Sequence, residues 1–198
     1  MSRHVFVLTA VWVCWLAPAR AAAQVDSSVS VLEAIGTYYL AGHAMAIPHE
    51  LGHAGVVILT GGRVTGYRVR PLSHEIHYAG ADAGWQRVAI RLAGPVANRL
   101  TADLPRWIHE PTRDGFYYRF TGAFAVNSHL QLLGNSLLSY VSAKQDMATV
   151  ARTLTSNRTG QLAILTAITG LALADVIVNW EDVQTELDIM WGRKRFGE

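Results

Sequence analysis

The sequence predicts an all-α, membrane-embedded helical bundle of about three to four spans, with a short β-hairpin-like insertion after the first core helix. Three observations lead there. Of the 198 residues, 51% are hydrophobic and only 16% are charged. Three long stretches, 34–62, 120–143 and 159–174, carry one formal charge between them, that of Glu50. Between the first two stretches the text changes to an apolar/polar alternation bounded by glycines and a proline. The same composition excludes other classes. Low charge and high apolar content oppose disorder, and glycine has no three-residue period, so a collagen-like fibre is out. A formal net charge of +2, spread along the chain, does not make a nucleic-acid surface. The single cysteine, Cys14, permits neither an intramolecular disulfide nor a Cys-rich zinc site.

Residues 1–23 read as a secretory signal peptide. Arg3 supplies the positive start, Val5 to Ala17 the apolar run, and Pro18 with Ala21-Ala22-Ala23 a cleavage site before Gln24. An uncleaved N-terminal anchor is the other reading of the same segment. Either way the chain is addressed to or across a membrane as an integral, multi-pass protein. The core is expected over 24–180, followed by a charged tail, 181–198, that begins as a helix.

The first apolar stretch, 34–62, is too long for one straight span, and Pro48 is placed to start a new helix or bend one. Gly61 to Pro71 then reads as one or two short strands outside the hydrocarbon. Trp85 to Leu100 reads as a helix with Arg87 and Arg91 on a polar face, interrupted at Gly94-Pro95. Residues 101–119, polar and aromatic with prolines, read as a surface loop. The stretches 120–143 and 159–178 complete the candidate spans. Asn127, His129, Gln131 and Asn135 inside the second keep open a soluble protein whose apolar helices are simply core.

The chemistry is concentrated in His49-Glu50-Leu51-Gly52-His53, an H-E-x-x-H pattern. On a helix, residues four apart share a face, so both imidazoles reach one metal ion, with Glu50 beside it to take a proton from water. Random placement of eight His and seven Glu yields the pattern in about one chain of this length in a hundred. In an apolar helix, two imidazoles and a carboxylate are also costly without a shared purpose. A zinc site needs a third ligand. The candidates are Asp146, His74, Glu75, His77, Asp82 and His129, and residue type alone does not choose among them. The extended zincin pattern fails, since position 59, where its third histidine belongs, is Leu59.

His49-Glu50-Leu51-Gly52-His53 in an apolar helix, followed by Gly61-Gly62 and by Gly94-Pro95-Val96-Ala97-Asn98, resembles the site-2 protease family of membrane-embedded zinc metalloproteases. The resemblance covers roughly 34–150. It implies Zn2+ held by His49, His53 and Asp146, with Glu50 as general base and Asn98 near the reacting atoms. The family's Asn-Leu-x-Pro … Asp-Gly element is matched only by Asn135-Ser136-Leu137-Leu138 and Asp146-Met147. By the same resemblance, the activity is hydrolysis of peptide bonds in membrane-protein or peptide substrates, in or near the lipid bilayer. Two other readings stay open from the residues: a non-catalytic membrane protein that retains the site, and a soluble secreted zincin-like hydrolase. For Asn98 the alternative is a backbone partner at the Gly94-Pro95 break, and for Asn135 it is helix–helix packing.

Overall fold

A computed structural model describes residues 31–70, 73–104 and 115–192. The expected signal segment, 1–23, and the end of the tail, 193–198, lie outside them. The described chain is mostly helical, with one two-stranded antiparallel sheet following the first helix.

Helix α1 (Val31–Leu59) runs for 29 residues, about 44 Å at 1.5 Å per residue. Pro48 lies inside it and neither starts nor ends a helix. Proline removes one backbone bond and crowds the carbonyl four residues back. A helix held on its buried face tolerates that loss, because tertiary packing supplies most of helical stability. The end of α1 is written locally. Gly61 takes φ +84°, while the Gly61 and Gly62 N–H groups return to the Ile58 and Val57 carbonyls at 3.1 and 2.8 Å. This is the glycine-dependent helix stop in which two otherwise unpaired carbonyls are satisfied. Gly62 is needed for closeness as well. A Cβ there would stand 3.0 Å from the Ala79 carbonyl oxygen and from the Val57 and Ala81 side chains.

The chain then forms β1 (Arg63–Arg70) and β2 (Ser73–Ala79), paired from Arg63↔Ala79 to Arg70↔Ser73, with an irregularity between Val64 and Gly66. The hairpin folds back on α1 through Val57, Ala81 and Ile90, with Ile76 and Tyr78 packed against them.

Helix α2 (Gly84–Thr101) buries Ile90, Gly94 and Asn98, a stripe at four-residue spacing, together with Pro95. The expected interruption at Gly94-Pro95 is absent, and the helix continues through the proline. The reason is contact: Gly94 and Pro95 are buried where α2 lies against the histidines of α1. Helix α3 (Gly115–Leu138) begins inside the segment expected to be a loop, so Gly115 to Arg119 are helical; 105–114 lie outside the described residues. Its interior polar groups are largely satisfied by backbone. Thr121 and Ser128 donate to the Tyr118 and Phe124 carbonyls at 2.8 and 3.0 Å, and Asn127 donates to Ala123 at 2.8 Å and to Tyr38 of α1 at 3.3 Å. That is how an uncharged stretch carries hydroxyls and amides without leaving donors unpaired.

Helices α4 (Asp146–Leu154), α5 (Arg158–Val178) and α6 (Trp180–Met190) follow among the described residues. Asn157, which also heads a glycosylation sequon, is the N-cap of α5, accepting from the Thr159 N–H at 2.9 Å. Asp175, the one acid in the α5 apolar run, is met by Arg99 of α2 at 3.2 Å. Among the described residues α5 is the one helix both long and apolar enough to cross a membrane, and only 17% of its apolar window is buried in the fold. A soluble core helix would be mostly buried; here Leu171, Ile177 and Val178 are exposed. The packed interior is divided into small clusters, Met147–Val150–Ala151–Leu165 and Ala41–Ala123–Met190 besides the one under the hairpin. Between them, where α1, α2, α3 and α4 meet, the buried side chains are polar.

Candidate metal centre

The 3.6-residue period of α1 puts His49 and His53 one turn apart, their Nε2 atoms facing each other at 3.0 Å with the rings edge-on. Asp146, the first residue of α4 and 97 positions beyond His49, closes the figure. Its Oδ2 lies 3.2 Å from His49 Nε2 and 3.4 Å from His53 Nε2. Three donor atoms thus form a nearly equilateral triangle. Ligand atoms about 2.0–2.1 Å from a tetrahedral zinc ion are separated by about 3.3 Å. The triangle has the size of one face of that tetrahedron, so His49, His53 and Asp146 fit a zinc-sized ion.

Glu50 is buried beside the two histidines and close enough to share a cation with them. Two carboxylates therefore compete for the third place, and their bonding separates them. Glu50 Oε2 accepts from the Ile76 N–H of β2 at 2.9 Å, while the Asp146 oxygen faces both Nε2 atoms. Burying such a set without compensation costs several kcal/mol per ion. Burial pushes the Asp146 carboxyl up, but hydrogen bonds and charge from the two histidines outweigh it and hold the group well below the usual carboxylate range.

Each donor is held from behind. His53 Nδ1–H donates to the Ile90 carbonyl at 2.5 Å, the support a histidine needs behind it to ligate through Nε2. His49 Nδ1 lies 2.9 Å from Gln131 Nε2 and 3.2 Å from Asn98 Nδ2. Arg91 Nη1 donates to Asp146 Oδ1 at 3.0 Å, and Asn135 Nδ2 is 3.4 Å from Oδ2. The absence of side chains at two positions matters equally. A Cβ on Gly94 would stand 2.5 Å from His53 Nε2 and 2.7 Å from His49 Nε2, filling the space directly over the donor triangle. A Cβ on Gly52 would strike the Ala93 carbonyl oxygen, so this glycine lets α1 and α2 approach that closely.

The other sequence candidates go elsewhere. His129 pairs with Glu186 of α6 at 2.8 Å. His74 lies 2.7 Å from His43, with the Tyr67 hydroxyl on its other nitrogen. Glu75 faces Arg70 at 3.6 Å, while His77 and Asp82 are exposed. Asn98 is buried against His49 Nδ1, and its Oδ1 has no hydrogen-bond partner. Sequence reading gave Arg91 and Gln131 no part in this site. The only signal for Arg91 was its place one turn before Gly94-Pro95, and for Gln131 a polar side chain one turn before Asn135 in an uncharged helix.

A divalent ion at this triangle would have the Glu50 carboxylate beside it, a donor set that can support hydrolysis. No protein-family profile, no curated protein and no solved structure matches the chain.

Proposed function

We propose that the chain is a zinc-dependent endopeptidase, similar to the site-2 proteases, that hydrolyses peptide bonds of membrane-associated substrates in or near the bilayer. One observation carries the reading. Two imidazoles from one helix and a carboxylate from a distant one converge at 3.0, 3.2 and 3.4 Å, with a second buried carboxylate, Glu50, alongside.

His49, His53 and Asp146 would hold the zinc, which when bound acts as a Lewis acid and brings the acidity of water towards neutrality. Glu50 takes the proton from the attacking water and later delivers it to the leaving amine. The Ile76 N–H keeps the Glu50 carboxylate aimed through its hydrogen bond. Asn98 lies behind His49, at the Nδ1 opposite the metal-facing Nε2, where it helps hold that ring in place. A substrate must present its backbone extended, and β1 has an edge without a strand partner among the described residues on which such a segment can pair. For the bilayer setting, α5 is joined by α1 and α3, each long enough to span, with Leu32, Ile35, Leu40, Ile47 and Ile58 of α1 facing outward.

The test is cleavage of a transmembrane reporter in proteoliposomes by wild type and by Glu50→Gln, with metal content measured in both. The expected result is retained zinc and a loss of turnover of about 10²–10⁴-fold. Undiminished cleavage by zinc-loaded Glu50→Gln would overturn the reading. So would one zinc per chain with no turnover of any membrane substrate, which describes a non-catalytic metal protein. Release of the protein by carbonate extraction would remove the bilayer from the proposal.

A further inference from the structure

We infer that Gln131, working with Asn98, is a positioning residue that selects the tautomer in which His49 presents an unprotonated Nε2 to the metal. The inference rests on the metal site proposed above and concerns a residue that site did not include.

A neutral imidazole carries one N–H, and a histidine that ligates through Nε2 must carry it on Nδ1. For His53 the acceptor is plain: Nδ1–H donates to the Ile90 carbonyl. His49 has no carbonyl or carboxylate at its Nδ1. What faces that atom is the Gln131 carboxamide at 2.9 Å and the Asn98 carboxamide at 3.2 Å, and these two amides meet each other at 2.5 Å. An amide oxygen and nitrogen exchange places by a half-turn about the last side-chain bond, so the pair has two self-consistent settings.

In one setting Asn98 donates to Gln131 Oε1 and Gln131 Nε2 donates to His49 Nδ1. His49 then carries its proton on Nε2, pointing at Asp146, and is no ligand. In the other setting both amides are reversed. His49 Nδ1–H donates to the Gln131 oxygen, the Gln131 N–H donates to the Asn98 oxygen, and His49 Nε2 has its lone pair directed into the triangle. The contacts among His49, Gln131 and Asn98 stay donor–acceptor pairs, at the cost of the bond that Asn98 Nδ2 makes to Met45 Sδ at 3.2 Å in the first setting. Only the second setting matches His53 and Asp146, so metal binding and the reversed amide pair go together. A hydrogen-bond partner behind a ligating histidine typically governs 10–100-fold in metal affinity.

The discriminating substitutions are Gln131→Leu, which removes the acceptor, and Gln131→Glu, which accepts but never donates. Zinc affinity of the purified full-length protein in detergent is measured by competition with a chromophoric chelator, alongside the thermal unfolding midpoint. The expected result is about 10–100-fold weaker zinc binding for Gln131→Leu and wild-type or tighter binding for Gln131→Glu. Should Gln131→Leu fail to fold, Gln131→Glu decides by itself. Equal zinc affinity for Leu and wild type overturns the inference, and so does Gln131→Glu binding as weakly as Leu. Wild type that binds no zinc defeats the underlying metal reading instead, a distinct outcome visible before any variant is made.

Discussion

Arg91 Nη1 lies 3.0 Å from Asp146 Oδ1, the carboxylate oxygen turned away from the two histidines. The other oxygen, Oδ2, belongs to the donor triangle. One cation therefore occupies one side of the carboxylate and leaves the other side for the metal. Arg91→Gln is expected to lower zinc affinity by about 10–100-fold, with Arg91→Lys between it and wild type, because an ammonium keeps the charge but loses the planar fork. Chelator competition reads this directly. Unchanged affinity in Arg91→Gln would make the contact an incidental ion pair.

Gly94 is expected to be intolerant of even a methyl group. A Cβ at 2.5 Å from His53 Nε2 and 2.7 Å from His49 Nε2 competes with any ion on the triangle. Gly94→Ala should abolish stoichiometric zinc binding. Its folding cost should be that of overpacking, about 1–3 kcal/mol. Gly52→Ala meets the α2 backbone and the Ala97 methyl at 2.7 Å, so it should destabilise at least as much by opening the α1–α2 crossing. Metal stoichiometry and the unfolding midpoint, measured on both variants, separate the two effects; one tightly bound zinc in Gly94→Ala contradicts the geometry.

The His129–Glu186 pair joins α3 to α6 with both side chains essentially inaccessible. Removing one partner breaks a buried contact that no solvent can replace. His129→Leu is expected to cost about 1–3 kcal/mol, and the double substitution His129→Leu/Glu186→Leu to recover part of that, since two apolar groups replace a buried pair more cheaply than one. Denaturation in detergent gives both values. Zinc binding by the folded protein should not change, because neither residue reaches the donor triangle. A double variant less stable than either single one would show the pair to be net stabilising.

The hairpin should loosen in mild acid. Burial and the adjacent His43 ring hold the His74 imidazole below its ordinary value, against a smaller upward pull from Glu50. The groups around it are His43 and Glu50 of α1 and the Tyr67 hydroxyl of β1. A folded-state pKa below the unfolded value means the undocked state binds more protons. The His74 contribution is therefore complete above about pH 6.5 and is lost as pH falls below it. Exchange protection of the Ile76 amide, corrected for intrinsic rates, should drop between about pH 7.5 and about pH 5.5. His74→Gln should flatten that drop; an equally steep one in the variant would place the titration elsewhere.

Local rules made much of this protein legible from its residues. Long uncharged stretches gave helices because an apolar run of that length has few other ways to satisfy its backbone, and Gly61 ended α1 because positive φ is nearly free for glycine. The His49–His53 pairing followed from the helical period alone, a relation internal to one element. Proline misled the reading at Pro95, where the cost of one missing N–H is smaller than what packing across α1 and α2 restores. The start of α3 was hidden for a related reason, since Gly115 to Arg119 become helical in a context their polarity does not announce.

What only the tertiary structure decided is which distant polar groups meet. Asp146, Arg91, Gln131 and Asn98 each look in sequence like a cap, a solvated face or a packing amide. Their identity as neighbours of one histidine pair depends on how four helices cross, and that is set by close approaches at Gly52 and Gly94 rather than by any local pattern. A partner within one helical turn is fixed by backbone geometry; a partner 97 residues away is fixed only by the packing of everything between.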